Sequence, residues 1–423
     1  MKKKMFLVLV LVLILCLMSG CSILSGNRLE SMFGNSTTGG KTISANSSAD
    51  NVTISRDEYE DYLRLQKFSE LADLYDVAQT DFYQEPDSDK MLEYAAKGLM
   101  AGLDDPFSFY YSPEEFKQMY EDDEGKYVGI GVMILGNVKD DTCVISRVFK
   151  GSPAEEAGVM RGDVLYRVED DFYVTPENLT EAVKIMRGEP GTVVNVTFLR
   201  DEEEITFQIL RKEIMVNQVE STLLETGIGY IAMYEFAGEA EKEFEKALNE
   251  LLEQDIKGVI IDLRDNSGGW VEQARYIGDL FMDKGELCYL VFRDGTENHE
   301  YYRTKDGKAD VKIVVLINEM SASSSEILTG ALRDCADATI VGTTSYGKGI
   351  VQNVYPIGSN GAGYQITIAE YFSPKGNKVH KIGISPDVVV ERPDGDKGIY
   401  EFADTSKDVQ LVKALEIMRE KLK

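Results

Sequence analysis

Two side chains stand out for the chemistry they could do together. Ser323 lies in Ser321-Ala322-Ser323-Ser324-Ser325-Glu326-Ile327, and Lys348 lies in Ser345-Tyr346-Gly347-Lys348-Gly349. Each segment directly follows an apolar run that reads as a buried strand, so both fall at the same end of a sheet. A hydroxyl and an amine delivered there can form a nucleophile–base pair, in which the amine takes the hydroxyl proton. Histidine offers little: the chain has 2, His299 and His380. A free lysine has a pKa of ~10.4, so a neutral base near pH 7 needs a depression of roughly three units, ~4 kcal/mol, which burial can supply. If residues 350–357 form a strand, alternation puts Lys348, Ile350 and Gln352 on one face, and Gln352 could hold the amine in place. A solvated surface lysine is the alternative, which the flanking glycines leave open.

A third motif, Asp262-Leu263-Arg264-Asp265-Asn266-Ser267-Gly268-Gly269, follows another apolar run, residues 258–263. Consecutive glycines let the backbone approach a ligand closely, and the amide of Gly268 or Gly269 could donate to a developing oxyanion. A plain glycine turn would have the same composition. Downstream of Ser323, Ile327, Leu328, Ala331 and Leu332 form a helical stripe. Ser323 therefore sits at or just before a helix N-terminus, where unpaired amides, that of Ser324 among them, and the helix dipole favour negative charge. The serines could equally be mere helix caps. Asp265-Asn266-Ser267-Gly268-Gly269 mimics the nucleophile loop of trypsin-like proteases, but those need an earlier histidine and none precedes His299. Ser267 is rejected as a nucleophile.

The elements that must position these residues fall into zones. From Ser55 to about Glu121 the pattern is helical: Leu63, Phe68, Leu71, Leu74 and Tyr75 recur at helix spacing, Asp87-Ser88-Asp89 starts a further helix, Pro106 breaks it, and Ser112-Pro113-Glu114-Glu115 starts another. From about Lys126 to Lys212 short strands are expected at 143–148, 164–168, 193–199 and 205–210, interrupted by one helix over 179–186. From Ile214 to about Arg392 strands and helices alternate, with continuous apolar runs at 258–263, 311–317 and 339–341. Parallel α/β layering follows, the strands covered on both faces. Residues 408–422 read as a surface helix with Leu411, Ala414, Leu415 and Met418 on one face.

Composition narrows the function. At 423 residues the chain holds two or three domains, and 43% apolar residues suffice for sizeable cores. A formal net charge of −28 argues against nucleic-acid binding and against an electrostatic grip on anionic lipid. Lys2, Lys3 and Lys4 precede an apolar run over residues 5–18, shorter than the ~20 residues that span a bilayer, so a signal peptide is expected. Met18-Ser19-Gly20-Cys21 resembles a bacterial lipobox, which implies cleavage before Cys21 and a lipid on its thiol; an uncleaved anchor or an ordinary cysteine are the alternatives. Residues 22–53, rich in Ser, Thr, Asn and Gly, read as a flexible tether. Cys143, Cys288 and Cys335 are widely spaced, suggest neither disulfides nor a zinc site, and read as packing residues.

Together the three motifs resemble the carboxyl-terminal processing (tail-specific) proteases. The family's Asp-Leu-Arg-x-Asn-x-Gly-Gly stands at 262–269, its Ser-Ala-Ser-x-Ser-Glu-Ile at 321–327, and its Gly-Lys-Gly with a glutamine four residues past the lysine at 347–352. Resemblance also covers Leu103-Asp104-Asp105-Pro106-Phe107-Ser108, Ser112-Pro113-Glu114-Glu115-Phe116, Pro374-Lys375-Gly376 and Gly383-Ile384-Ser385-Pro386-Asp387. Ser324 replaces the usual alanine and Ser267 a common proline. The strand-rich zone resembles a PDZ domain, with Tyr127-Val128-Gly129-Ile130-Gly131-Val132 as its carboxylate-binding loop and a pocket bounded by the helix carrying Leu179 and Val183. Loop amides of Val128, Gly129, Ile130 and Gly131 would bind a C-terminal carboxylate while the tail adds as a strand; a small β-barrel used only for packing is the alternative.

The resemblance implies an α/β fold: a crotonase-like serine protease core with an inserted, mainly β PDZ domain and an N-terminal helical segment. The expected organisation is a signal peptide (1–20), lipidated N-terminus and tether (21–53), helical segment (54–124), PDZ domain (125–212), protease core (213–400) and C-terminal helix (401–423). It implies Ser323 as nucleophile, Lys348 as base, Gln352 as support, and protein substrates with accessible C-terminal tails, without metal or other cofactor. A bacterial lipoprotein facing away from the cytoplasm, and a homodimer through the helical segment, are also implied. Rival readings are a catalytically inactive lipid-anchored PDZ scaffold and an acyl-CoA enzyme of the related crotonase-like fold.

Overall fold

The computed structural model describes residues 55–123, 126–137, 141–305, 309–393, 400 and 402–423. The signal segment, Cys21 and the tether lie outside the described residues. Two units follow one another, divided after Pro86.

The first unit carries helices α1 (Arg56–Gln66) and α2 (Ser69–Asp81). Ser55 starts α1: its hydroxyl accepts from the Glu58 amide, and the Glu58 carboxylate accepts from the Ser55 amide at 2.7 Å. The expected apolar stripe forms, yet neither helix buries a residue.

The second unit opens with α3 (Ser88–Ala101), capped by Asp87 as expected. Next come β1 (Phe109–Tyr111) and α4 (Pro113–Asp123), the latter capped by Ser112 and Glu115 in a reciprocal box. The strand-rich zone comprises β2 (Lys126–Gly129), β3 (Val132–Asn137), β4 (Thr142–Val148), α5 (Pro153–Ala157), β5 (Val164–Val168), β6 (Phe172–Tyr173), α6 (Leu179–Met186), β7 (Val193–Arg200), β8 (Glu203–Leu210) and β9 (Lys212–Met215). Its sheet runs β3-β4-β5-β7-β8 with β6 on β5, and β2 pairs with β9 in a separate ribbon. Ile145, Leu165, Val196 and Phe198 of the sheet bury against Ala182 and Met186 of α6.

The remainder holds β10 (Val219–Glu225), β11 (Ile228–Met233), α7 (Ala240–Leu252), β12 (Gly258–Asp262), α8 (Val271–Asp279), β13 (Glu286–Phe292), β14 (Glu297–Arg303), β15 (Lys312–Ile317), α9 (Ser324–Cys335), β16 (Thr339–Gly342), β17 (Ile350–Ile357), β18 (Ala362–Phe372), β19 (Val388–Val389) and α10 (Val409–Lys421). One sheet runs β10-β11-β12-β15-β16-β19, parallel except for β10. Its strands read as unbroken apolar runs because both faces are covered. Val259, Ile261, Val315 and Ile317 face the helices α7, α8 and α9, while Ile260, Val314 and Leu316 face α10. The surface helix expected here is α10: its apolar face of Leu411, Ala414, Leu415 and Met418 is buried on the sheet, while Glu416 and Arg419 stay exposed.

Parallel layering does not extend to the whole core. β13, β14, β17, β18 and β1 make a second, antiparallel sheet ordered β1-β18-β13-β14 with β17 on β18. It shares the larger hydrophobic cluster through Leu287, Leu290, Val351, Ala369 and Tyr371.

Candidate active site

β12, β15 and β16 are adjacent parallel strands, so the loops leaving their C-terminal ends meet. Short polar side chains staple these loops together. Asn318 accepts from the Asp265 amide at 2.9 Å and donates to the Asp265 carboxylate at 2.7 Å. The Ser321 hydroxyl donates to Leu263 O at 2.7 Å, that of Ser325 to Asn266 O at 2.9 Å, and that of Ser324 to Gly269 O at 2.7 Å. The Tyr346 amide donates to Ser321 O, bringing in the lysine loop. The serines around Ser323 are therefore fasteners, and the Ser324 hydroxyl is turned into the protein.

Ser323 itself is half-buried at the N-cap of α9, with φ +55° and ψ −117°. A left-handed φ at serine is a strained conformation that persists only where the surroundings enforce it. Gly268 packs directly against this turn. A Cβ there, at φ +103°, would lie 2.7 Å from Ala322 O and from Ser323 Cβ, and 2.9 Å from the Ser324 amide nitrogen. Only glycine brings its backbone so close to the N-terminus of α9. The Gly268 N–H donates to Asn266 Oδ1 at 2.9 Å, and Gly269 lies against Phe236, where a Cβ would stand 2.2 Å from Phe236 O.

Glu326, buried in the first turn of α9, joins the serine loop to the lysine loop. Its Oε2 accepts from the Ser323 amide at 3.0 Å and from the Lys348 amide at 2.9 Å. Its Oε1 accepts from the Gly347 amide at 2.7 Å and from the Ser345 hydroxyl. Burial pushes this carboxyl up, and the four donors pull against it. The Lys348 backbone and the Ser323 backbone are thus fixed to one carboxylate oxygen.

Lys348 is half-buried, and burial lowers its pKa from the ordinary lysine value, against the pull of Asp105 and Glu326. It forms no salt bridge with a described residue; its ammonium position lies 4.5 Å from the centroid of the Phe107 ring. β17 spans residues 350–357 as expected, but Lys348 precedes it, and the register shifts between Val351 and Gln352. Alternation along one strand therefore does not relate Gln352 to Lys348. Gln352 pairs with Thr367 of β18 and donates through Nε2 to Thr367 Oγ1 at 3.1 Å.

Known proteins match this arrangement. Peptidase family S41 is matched over residues 227–390, a PDZ domain over 144–200, and the N-terminal domain of the activating protease CtpB over 31–115. Carboxy-terminal processing protease CtpA of Bacillus subtilis (strain 168) is 35% identical over 340 residues, which span 80% of this chain and 72% of that protein. The carboxy-terminal-processing protease of Bartonella bacilliformis is 34% identical over 343 residues, 79% of this chain and 77% of that one. The chain belongs to the carboxy-terminal processing proteases, serine proteases of family S41. The solved photosystem II D1 C-terminal processing protease is 28% identical, with a TM-score of 0.53, covering 75% of this chain and 86% of that chain.

In this processing protease the PDZ domain adjoins the core through the β2–β9 ribbon and a buried cation. Val128 and Gly129 lie in β2, paired with Glu213 and Lys212, while Ile130 and Gly131 turn into β3. Gly131 has φ +89°, and a Cβ there would meet Ser152 Cβ at 2.2 Å. The amides of Val132 and Gly131 are turned to the phenolic oxygen of Tyr127, which burial pushes up to about 12. The Arg187 guanidinium lies 5.1 Å from the Tyr127 ring centroid. At the junction with the core, Arg147 of β4 donates to Glu220 of β10 at 2.8 and 3.2 Å and lies 3.6 Å from the Tyr234 ring centroid.

Sequence reading missed Glu326 as the bridge between the serine and lysine loops. The capping-box spacing Ser323-x-x-Glu326 held the signal, since it places a carboxylate one turn from the serine.

Proposed function

We propose that this processing protease cuts peptide bonds by a Ser/Lys mechanism after its PDZ domain has captured a protein's C-terminal tail. Neutral Lys348 takes the Ser323 hydroxyl proton as Oγ attacks the scissile carbonyl carbon. The carbonyl oxygen becomes an oxyanion between the Ser324 amide and a glycine amide; Gly269 suits this better than Gly268, whose N–H is spent on Asn266. The Lys348 ammonium then protonates the leaving nitrogen, the C–N bond breaks, and an ester to Ser323 remains. Water attacks that ester, gives one proton to Lys348, and releases the new C-terminal carboxyl while Ser323 Oγ recovers its proton. Gln352, with Nε2 donated to Thr367, keeps its carboxamide oxygen as an acceptor for the lysine.

The observation that carries this reading is Glu326, one carboxylate oxygen holding the backbones of both Ser323 and Lys348 while burial lowers the lysine's pKa. The PDZ loop of Val128, Gly129, Ile130 and Gly131 supplies amides for a tail carboxylate. Lipidation of Cys21 would tether the enzyme to the outer face of a bacterial membrane; among the described residues no helix is long and apolar enough to cross one.

The test is hydrolysis of a peptide with a free C-terminal tail. Ser323→Ala and Lys348→Ala should each abolish cleavage while leaving thermal melting intact. Wild-type turnover in either variant removes the dyad, and an inert wild-type protein across a panel of tails would favour the PDZ scaffold.

A further inference from the structure

The loop between α3 and β1, 215 or more residues before Ser323 in sequence, reaches the lysine's side of the site. β1 pairs with β18, Phe109 opposite Gln365, and Gln365 donates to Phe107 O at 3.0 Å. This lays the Phe107 ring over the Lys348 ammonium at 4.5 Å. It also sets Asp105 against Thr367. The Thr367 hydroxyl donates to Asp105 Oδ2 at 2.6 Å, as does Ser108 Oγ at 2.6 Å, and the Phe107 amide donates to Asp105 Oδ1 at 3.1 Å. Ser108 Oγ in turn accepts from the Thr367 amide at 2.9 Å.

We propose that Asp105 is a positioning residue for the peptidase reaction: through the Thr367 hydroxyl it fixes the carboxamide of Gln352, and so the support of Lys348. The direction of each bond follows from donor supply. An ionised carboxylate only accepts, so Thr367 must give its one proton to Asp105 and can then only accept from Gln352. That leaves Gln352 no choice but to present nitrogen to Thr367 and oxygen to the other side. Without Asp105 the threonine could donate to Gln352 and the carboxamide could turn over. The proposal rests on the Ser/Lys reading above.

Asp105 also contributes a charge. Burial pushes its carboxyl up, but the Ser108 and Thr367 hydroxyls and the Phe107 amide outweigh burial and hold it below the ordinary aspartate value. The charges facing Lys348 are Asp105 from this loop and Glu326 from α9. His380, whose backbone packs on Gly349, faces Asp105, with Glu370, Lys378 and Lys381 around it; burial lowers the pKa of this imidazole. A negative Asp105 favours the lysine's ammonium form, so removing that charge makes the amine easier to deprotonate.

Three variants of the full chain test this, with Lys348→Ala beside them, by kcat, KM and the pH profile of kcat/KM on a tailed peptide. Thr367→Val cuts the relay without touching charge: kcat should fall ~10²-fold, as for a misplaced catalytic group, with KM and the acid limb unmoved. Thr367→Ser restores the hydroxyl and should recover most of the rate. Asp105→Asn should move the acid limb to lower pH. Melting curves exclude unfolded variants; if Thr367→Val fails to fold, the Asp105→Asn limb decides. A Thr367→Val kcat within threefold of wild type, no rescue by serine, or an Asp105→Asn limb that stays or moves to higher pH overturns the proposal. If Lys348→Ala itself retains wild-type turnover, the underlying dyad fails instead, whatever the other variants do.

Discussion

Glu326→Gln puts the bridge between the two loops to a quantitative test. The carboxylate accepts four bonds, two per oxygen, from Ser323, Lys348, Gly347 and Ser345. Glutamine keeps one oxygen and replaces the other with an NH₂ that only donates. Turned towards Ser323 and Lys348, that NH₂ would leave two amides without an acceptor. Turned the other way it can donate to the Ser345 hydroxyl and orphans the Gly347 amide alone, at ~1–3 kcal/mol. The second orientation should prevail. The surviving bonds lose their charge assistance, and relief of the buried charge offsets part of that, so stability should fall by only ~1–3 kcal/mol. The rate should suffer more. Gly347 adjoins Lys348, and a catalytic group displaced by ~1 Å can cost about 10²-fold. Steady-state hydrolysis of a tailed peptide, with kcat and KM separated, and a melting curve give both numbers. A kcat within threefold of wild type beside a lowered Tm would refute the argument, because Glu326 would then be only a helix cap.

Gly268→Ala adds a methyl 2.7 Å from Ala322 O and Ser323 Cβ and 2.9 Å from the Ser324 amide nitrogen; peptidase activity should drop ~10²-fold, the scale for a displaced catalytic group, and an unchanged rate would remove this close approach from the argument. Arg264→Met strands the buried carboxylates of Asp262 and Asp408, both of which Arg264 contacts at 2.6 Å. That should cost ~3–5 kcal/mol, read as a lower urea midpoint; an unchanged midpoint would mean that α10 is held by its apolar face alone. Tyr127→Phe removes the phenolic oxygen facing the Gly131 and Val132 amides, so a fluorescent tail peptide should bind about fivefold tighter, the worth of one hydrogen bond of ~1 kcal/mol. Weaker binding would make the phenol part of the recognition site.

The sequence revealed the parts of this site built from neighbouring parallel strands. Residues 258–262, 312–317 and 339–342 are apolar on both faces, so their runs were legible, and the polar residues that follow each run fall at one sheet edge. The second sheet was less visible. β14 reads Glu297-Asn298-His299-Glu300-Tyr301-Tyr302-Arg303, with no apolar alternation, and β1 has three residues inside a segment that otherwise reads as helical. Its absence from the sequence reading hid the contact of Asp105 with Thr367, which are 262 residues apart. Strand alternation alone does not relate Gln352 to Lys348, because Lys348 precedes β17 and a register shift is invisible in side-chain pattern. For α10 the apolar face was legible and its partner was not: periodicity shows which face is buried, never what buries it.

The junction between the PDZ domain and the core connects the proposed tail-binding loop to the protease core. The chain crosses it at β2 and β9, and Arg147 is its buried cation, bonded to Glu220 and stacked on Tyr234 of the core. The same guanidinium lies 5.0 Å from the ring centroid of Phe149, whose amide donates to Gly131 O in the tail-binding loop proposed above. Any shift of that loop therefore acts on a residue stacked against the clamp. Arg147 Nη1 and, on the segment joining β9 to β10, Gln218 Oε1 are buried without a protein partner among the described residues. A buried donor and a buried acceptor left unpaired each cost ~1–3 kcal/mol. Under the tail-capture reading proposed above, a tail seated on the Gly131 loop would bear on Arg147 through Phe149, and so on the contact with Glu220 and Tyr234.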